Sequence, residues 1–278
     1  MPRVDLHLHS TASDGSFSPA ELVRKVAAEG LAIIALTDHD TVGGIAAALE
    51  AAREFPGLRL IPGIEISTDT PEGEVHILGY FIDHTDCNLQ AALEKMRSSR
   101  WERARQIVTK LGELGCPVDW ERVLEIAGGG TIGRPHIAQA MLERGHVESF
   151  RGAFEQYISR DGPAYVEREK VTPSGAVELV VQARGLPVLA HPLTIPQPEQ
   201  LATKLKVVGL IGIEAYYASY TAEDVQRLVS IADRYNLIAT GGTDFHGIDA
   251  NADTSIGGVE IPEKSVERLL ALAQQAGL

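Results

Sequence analysis

Cysteine is nearly absent. Cys87 and Cys116 are the only two in 278 residues, too few for a disulfide framework or a cysteine zinc site. Long apolar runs are missing too, and stretches such as Leu31–Leu36 fall far short of the ~20 residues that cross a bilayer. No basic-then-apolar leader is visible, because Met1-Pro2-Arg3 leads straight into Val4-Asp5-Leu6-His7, so a soluble, cytoplasmic protein without a membrane partner is expected. Positive charge is scarce. Against 38 Asp and Glu stand 25 Lys and Arg, a net charge of −13, which excludes the basic footprint that duplex nucleic acid requires. A small anionic substrate is not excluded, since bound divalent ions reverse the local field. What remains is ordinary globular composition, 44% hydrophobic and 23% charged, enough for one large domain or two unequal ones. No particular oligomeric state is implied.

Short apolar, β-branched runs alternate with helical patterns. Strands are expected at Val4–His9, Ala32–Thr37, Arg59–Ser67, Val75–Phe81, Pro187–His191, Ile211–Tyr216 and Leu237–Gly241; their continuous apolar character suits a sheet covered on both faces. Helix starts are well marked. Ser18-Pro19-Ala20-Glu21 joins an N-cap serine, a proline in the first turn and a capping-box glutamate, and caps stand at Thr172 and Thr221. Such alternation reads as α/β with right-handed crossovers. The runs ending at Ser67 and opening at Val75 lie too close for a crossover helix and are expected to form a hairpin. Residues 88–160 turn helical, with one long amphipathic stretch over Leu89–Leu114. The expected organisation is a first barrel part over 1–87, an all-helical insertion over 88–160 acting as a lid, and a second barrel part over 161–278.

The informative residues gather at strand ends. Strand alternation places Asp5, His7 and His9 on one face. The second run ends in Thr37-Asp38-His39-Asp40, the third carries Gly63-Ile64-Glu65, the fourth contains His76, the fifth ends at His191-Pro192, and the last leads into Thr243-Asp244-Phe245-His246. A lone histidine at a strand end is more often a satisfied core residue than a ligand. Here six of the nine histidines fall at strand termini, most with an acidic companion. In α/β barrels the loops at these ends converge on one site, so a metal centre is expected.

The ordered motifs D-x-H-x-H-S, T-D-H, G-x-E, H-P and T-D-x-H resemble those of the PHP (polymerase and histidinol phosphatase) metallophosphoesterases, over residues 1 to about 85 and about 160 to 250. The resemblance implies a distorted seven-stranded β/α barrel (PHP fold) with an all-helical insertion, holding three divalent ions. Manganese is the first expectation, with iron or zinc as alternatives. It implies His7, His9, Glu65 and Asp244 on the first ion, a bridging Glu65 with His76 and His191 on the second, and Asp14, His39 and His246 on the third. Many members have histidine where Asp14 stands, and a carboxylate there suits manganese or iron at least as well as zinc. Asp5, Asp38 and Asp40 are expected to orient histidine rings by accepting the second ring N–H.

The expected reaction is phosphomonoester hydrolysis by a hydroxide bridging two ions, with Glu65, Asp244 and His136 as the catalytic residues. The leaving-group acid is left open between His136 and an ion-bound water. Phosphate-binding candidates are Arg134 and His136 in Gly133-Arg134-Pro135-His136, where a proline-started helix aims N–H groups at an anion. Arg100 and Arg103 of the series Arg97, Arg100, Arg103 follow, and Lys170 is a further candidate; the bland reading of that series is a solvated helix face. Motif order and insertion look most like the stand-alone bacterial branch acting on 3′,5′-nucleoside bisphosphates (pAp to AMP), with relatives trimming short RNA from the 5′ end. A small phosphorylated nucleotide is therefore the implied partner, with Tyr216, Tyr217, Tyr220 and Trp101 as aromatic surfaces for a base. The alternatives are a histidinol-phosphate-type phosphatase, a metal-dependent amidohydrolase acting on a C–N bond, and a non-catalytic PHP module of polymerase machinery.

Overall fold

The computed structural model describes residues 3–70, 73–167, 171–247 and 255–278. Seven strands form one sheet in chain order: β1 (Arg3–Leu8), β2 (Leu31–Leu36), β3 (Arg59–Thr70), β4 (Gly73–Tyr80), β5 (Leu186–Leu189), β6 (Gly212–Tyr217) and β7 (Ile238–Gly242). All neighbouring pairs are parallel except those of β4, which runs antiparallel to both β3 and β5. The expected hairpin is present, with Thr70 opposite Gly73 and Ser67 opposite His76. Because β4 is reversed, its beginning rather than its end lies at the rim where the other strands finish. That reversal brings His76 to the rim.

The last strand returns to the first, nearly closing a barrel. His9 N–H donates to the Phe245 carbonyl at 3.0 Å. A Cβ on Gly242 would lie 2.3 Å from that of His7, so glycine is what permits β7 to approach β1 here. Helices α1 (Pro19–Ala28), α2 (Ile45–Ala52), α7 (Pro173–Gln182), α8 (Pro198–Val207), α9 (Ala222–Arg234) and α10 (Glu263–Gln275) accompany the strands. The capping box at Ser18 and Glu21 forms as its sequence predicts.

Between β4 and α7 the described elements are helical: α3 (Cys87–Glu113), α4 (Trp120–Ala127), α5 (Arg134–Glu143), α6 (Phe150–Ala153) and a π-helical turn over Phe154–Ile158. Helix α3 is shared between two cores. Its first turns bury Leu89, Leu93 and Met96 against barrel residues such as Ile64 and Val177. Further along, Ile107 and Leu111 join Val123, Ile137 and Met141 in a separate helical core. The segment is also fastened to the rim by Thr131 N–H donating to the Ala12 carbonyl at 2.9 Å. Among the described residues no helix is long and apolar enough to cross a membrane.

Candidate metal centre

Glu65 is fully buried on β3, and its two oxygens face two groups of imidazoles. Oε1 lies 2.7 Å from Nδ1 of His76 and 3.0 Å from Nε2 of His191. Oε2 lies 3.1 Å from Nε2 of His7, 3.2 Å from Nε2 of His9 and 3.2 Å from Nδ1 of His39. Asp244, just beyond β7, sets Oδ1 at 3.2 and 3.0 Å from the same Nε2 atoms of His7 and His9. The ligand atoms of His7, His9, Glu65 and Asp244 thus lie within 4.8 Å of one another, as do those of His39, Glu65 and His76. His191 joins the latter group through its Nε2, 3.2 Å from Nδ1 of His76. A further group holds His9, Asp14, His39 and His246, with Nε2 of His246 at 3.4 Å from Asp14 Oδ1 and Nε2 of His39 at 4.0 Å from Asp14 Oδ2. All nine side chains expected around metal are therefore brought together, and His39 stands between two of the groups through its two nitrogens.

Backbone and electrostatics both carry marks of a functional centre. Asp40, His191 and Asp244 have positive φ of 50°, 24° and 55°, a region that non-glycine residues rarely occupy and that collects at such sites. Buried atoms without a hydrogen-bond partner among the described residues include both nitrogens of His9, Asp14 Oδ1, His39 Nδ1, His76 Nε2, His191 Nδ1 and Asp244 Oδ1. Each such atom costs roughly 1–3 kcal/mol, and their concentration in one place needs a partner. Imidazole and carboxylate lone pairs are the donor set of divalent first-row ions, so the residues present fit a polynuclear cation site.

Burial opposes charge on His39, His76, His246, Asp14 and Glu65, and the partners decide which of them carries it. Burial pushes His39 down to about 3 despite Glu65 and Asp14. His76 is likewise penalised by burial, yet Glu65 and Glu74 carry it up to about 9. His246, desolvated but held by Asp14 and Asp244, rises to about 10. Burial would raise the carboxylates, but imidazoles outweigh it: His39 and His246 hold Asp14 well below the usual range, and His39, His7 and His76 do the same for Glu65.

The expected ring-orienting aspartates do something else. Asp5 accepts from Thr243 N–H and Oγ1–H and from Gly257 N–H. Asp38 accepts from Ser10 N–H and from the Ser10 and Ser13 hydroxyls. Asp40 accepts from Ser67 N–H and Arg100. Asp5 and Asp38 reach loop donors and Asp40 reaches β3 and α3, so these short side chains pin the rim beside the rings. The rings are oriented by groups that the strand-end pattern does not reveal. Glu214, fully buried on β6, accepts from Nδ1 of His7 at 2.9 Å and from His191 N–H at 2.7 Å. The Tyr217 hydroxyl donates to Asp244 Oδ2 at 2.8 Å. Nδ1 of His246 donates to the Asp244 carbonyl at 2.8 Å, which leaves its Nε2 for Asp14. One sequence signal pointed at Glu214: Gly212-Ile213-Glu214 repeats Gly63-Ile64-Glu65.

The phosphate-binding candidates divide. Arg134, at the start of α5, donates to Glu74 Oε2 at 2.5 Å and to the Ile158 carbonyl at 3.5 Å, with Phe154 of the π-helical turn beneath its guanidinium at 5.8 Å. Glu74 in turn lies 3.9 Å from Nε2 of His76, so Arg134 is one carboxylate away from the centre. Nδ1 of His136 accepts the Gly133 N–H at 3.0 Å, which puts the proton of the neutral ring on Nε2; burial lowers this imidazole, with Asp14 and Arg100 as the charges it senses. Arg100 bridges Asp40 and the Ser67 hydroxyl, each at 2.6 Å. Arg103 is buried, donates to the Val166 carbonyl at 2.7 Å and lies over Tyr165 at 5.3 Å. Its alkyl and guanidinium groups pack the helical segment, which a spacing of three along a helix does not distinguish from an anion site. Lys170 lies outside the described residues. Of the aromatic candidates, Tyr217 packs on His191 at 5.8 Å and on Tyr220 at 5.0 Å, whereas Trp101 meets Trp120 on α4.

A buried cluster of imidazoles and carboxylates at the C-terminal rim of a nearly closed α/β barrel is the scaffold of metal-centred hydrolases. A PHP domain matches residues 5–117. The chain is 35% identical to the 3′,5′-nucleoside bisphosphate phosphatase of Chromobacterium violaceum, over 88% of each chain. It is 36% identical to a 5′-3′ exoribonuclease of Haemophilus influenzae, over 88% of this chain and 90% of that one. Two solved structures share the fold. One, from Bifidobacterium adolescentis and assigned as a metal-dependent phosphoesterase, has a TM-score of 0.88 and 30% identity over 96% of this chain and 95% of that one. The other, called an amidohydrolase, comes from Chromobacterium violaceum with bound sulfate and no metal; its TM-score is 0.89 and its identity 32%, over 97% and 96%. The chain belongs to the PHP family.

Proposed function

We propose that this PHP protein hydrolyses the 3′-phosphate of 3′,5′-nucleoside bisphosphates, pAp to AMP, and acts secondarily on short 5′-phosphorylated oligonucleotides. At the coarser level it is a metal-dependent phosphoesterase, a hydrolase of phosphoric esters, as its relatives are. One observation supports the metal reading above the rest: the two oxygens of Glu65 face separate sets of imidazoles, the geometry of a carboxylate shared by two cations. In this reading His7, His9, Glu65 and Asp244 hold one ion. Glu65, His76 and His191 hold a second, and Asp14, His39 and His246 a third, with manganese the first expectation. Bound there, the ions supply charge neutralisation at the phosphoryl oxygens and an activated water.

The chain's own groups do the rest. Arg134 exchanges Glu74 for non-bridging phosphate oxygens, for which its planar fork is suited. His136, its imidazole lowered by burial and its Nδ1 engaged by the Gly133 N–H, donates from Nε2 to an oxygen of the substrate; a neutral imidazole is a hydrogen-bond donor and a poor acid. The helical segment, anchored at Thr131 and Arg100, limits water and selects the substrate. Action on amides is disfavoured, since no strand among the described residues carries a lysine that could be carboxylated between two ions. In this reading the enzyme works in the cytoplasm, where small nucleotides are its substrates.

The test is a release screen with manganese-loaded protein over adenosine 3′,5′-bisphosphate, histidinol phosphate, a short 5′-phosphorylated RNA and a panel of amides. Fastest phosphate release from the bisphosphate is expected. Preference for histidinol phosphate, or amine release without phosphate release, overturns the proposal.

A further inference from the structure

Six of the seven strands deliver, at or just beyond the rim, at least one side chain to the cluster: His7 and His9, His39, Glu65, His76, His191, and Asp244 with His246. Among the described residues β6 delivers none. It brings instead Glu214 and Tyr217, whose polar atoms touch the groups supplied by three other strands. Three residues apart on a regular strand, these two would point to opposite faces. They share a face because the pairing of β6 with β7 slips between them: Glu214 lies opposite Thr240, but Tyr216 lies opposite Gly241 and Tyr217 opposite Gly242. One extra residue on β6 reverses the alternation, which is how a bulge re-aims a side chain. Gly241 makes the bulge possible, for a Cβ there would sit 2.3 Å from the Tyr216 carbonyl oxygen.

Resting on the reading of the cluster as a divalent-metal centre, we infer that β6 is an orienting strand and that Glu214 and Tyr217 are positioning residues for metal. Glu214 receives the Nδ1 proton of His7, which fixes the tautomer with its lone pair on Nε2, toward Glu65 and Asp244. Its other oxygen holds the N–H of His191, whose backbone sits at φ 24°. One carboxylate therefore holds the imidazole of His7 directly and the backbone that carries His191, two residues that belong to different ion positions. Tyr217 engages Oδ2 of Asp244 and leaves Oδ1 for the cluster. Partners of this kind fix ring and carboxylate orientation and raise ligand basicity.

Glu214→Gln and Tyr217→Phe test the assignment. The amide of Glu214→Gln has one acceptor oxygen for two N–H donors and presents its NH₂ to the other; Tyr217→Phe removes a single hydroxyl. Metal-free wild type and variants are titrated with Mn²⁺, free ion being read by its electron paramagnetic resonance signal, and the fold is followed by circular dichroism. Folded variants with Mn²⁺ affinity reduced roughly 10–100-fold are expected. A merely structural role lowers stability and leaves the affinity of the folded protein unchanged, which overturns the inference. Should Glu214→Gln fail to fold, Tyr217→Phe decides alone. Wild type that binds no Mn²⁺ refutes the metal centre itself, a result distinct from variants that bind as wild type does.

Discussion

Arg100, on the long helix α3, donates through Nε to Oδ2 of the fully buried Asp40 at 2.6 Å, and its Nη2 reaches the Ser67 hydroxyl. This pair crosses from the helical segment to the loop after β2, beside His39. It holds the segment over the rim, where backbone contact at Thr131 and Ala12 provides a second fastening.

Removing the guanidinium takes a 2.6 Å ion pair away from a carboxylate that stays buried, the costly way to break such a pair. Arg100→Ala is expected to lower the unfolding free energy by about 3–5 kcal/mol. Arg100→Lys restores only part of it, because one ammonium on a shorter stem does not reproduce the fork between Asp40 and Ser67. Denaturant titration checks this. An unfolding midpoint equal to that of wild type contradicts the anchoring role.

Arg134 rests on Glu74, one carboxylate from His76. If that guanidinium leaves Glu74 for the phosphoryl group, Arg134→Ala lowers kcat by roughly 10²–10³-fold, the loss typical of a donor aimed at developing charge. Arg134→Lys recovers little of it. Steady-state kinetics of phosphate release decide the point, and unchanged kinetics remove Arg134 from the reaction.

Metal loading is expected to displace protons. In the metal-free protein His76 titrates at about 9 and His246 at about 10, so both are charged at neutral pH. Each must surrender its proton to offer a lone pair to a cation. His39, at about 3, is already neutral and contributes none. Apparent affinity therefore rises with pH from neutrality toward 9, and calorimetric heats of Mn²⁺ binding at pH 7 vary with the ionisation enthalpy of the buffer. Heats independent of the buffer contradict the assigned charge states.

Much of this architecture is legible in the chain. Apolar runs interrupted by turn and cap residues place seven strands, each within a few residues of its observed bounds. The short link after Ser67 announces the hairpin that reverses β4 and brings His76 to the rim. Glu65, within β3, and Asp14, in the loop after β1, come from the resemblance to the family motifs; the other expected ligands stand out because they gather near strand ends. Glu214 does not, since an acid inside Gly-Ile-Glu-Ala-Tyr-Tyr looks like one more alternating position. Nothing in a period-two pattern shows the bulge that turns Tyr217 inward. The true neighbours of Asp5 and Asp38 are loop amides and hydroxyls from distant parts of the chain, and only the folded backbone brings them together. Arg103 was indistinguishable from Arg100 for the same reason: one turn of helix separates a residue facing the rim from one facing Val166.

The most direct test of the centre is metal analysis of manganese-loaded protein after gel filtration, wild type beside Glu65→Ala. Because Glu65 faces five imidazoles at once, wild type should retain three ions per chain, matching its three ligand groups. The variant should lose at least the two ions that Glu65 shares, and with them phosphate release. Wild type that keeps no ion, or Glu65→Ala that keeps the full complement and hydrolyses substrate at the same rate, contradicts the account.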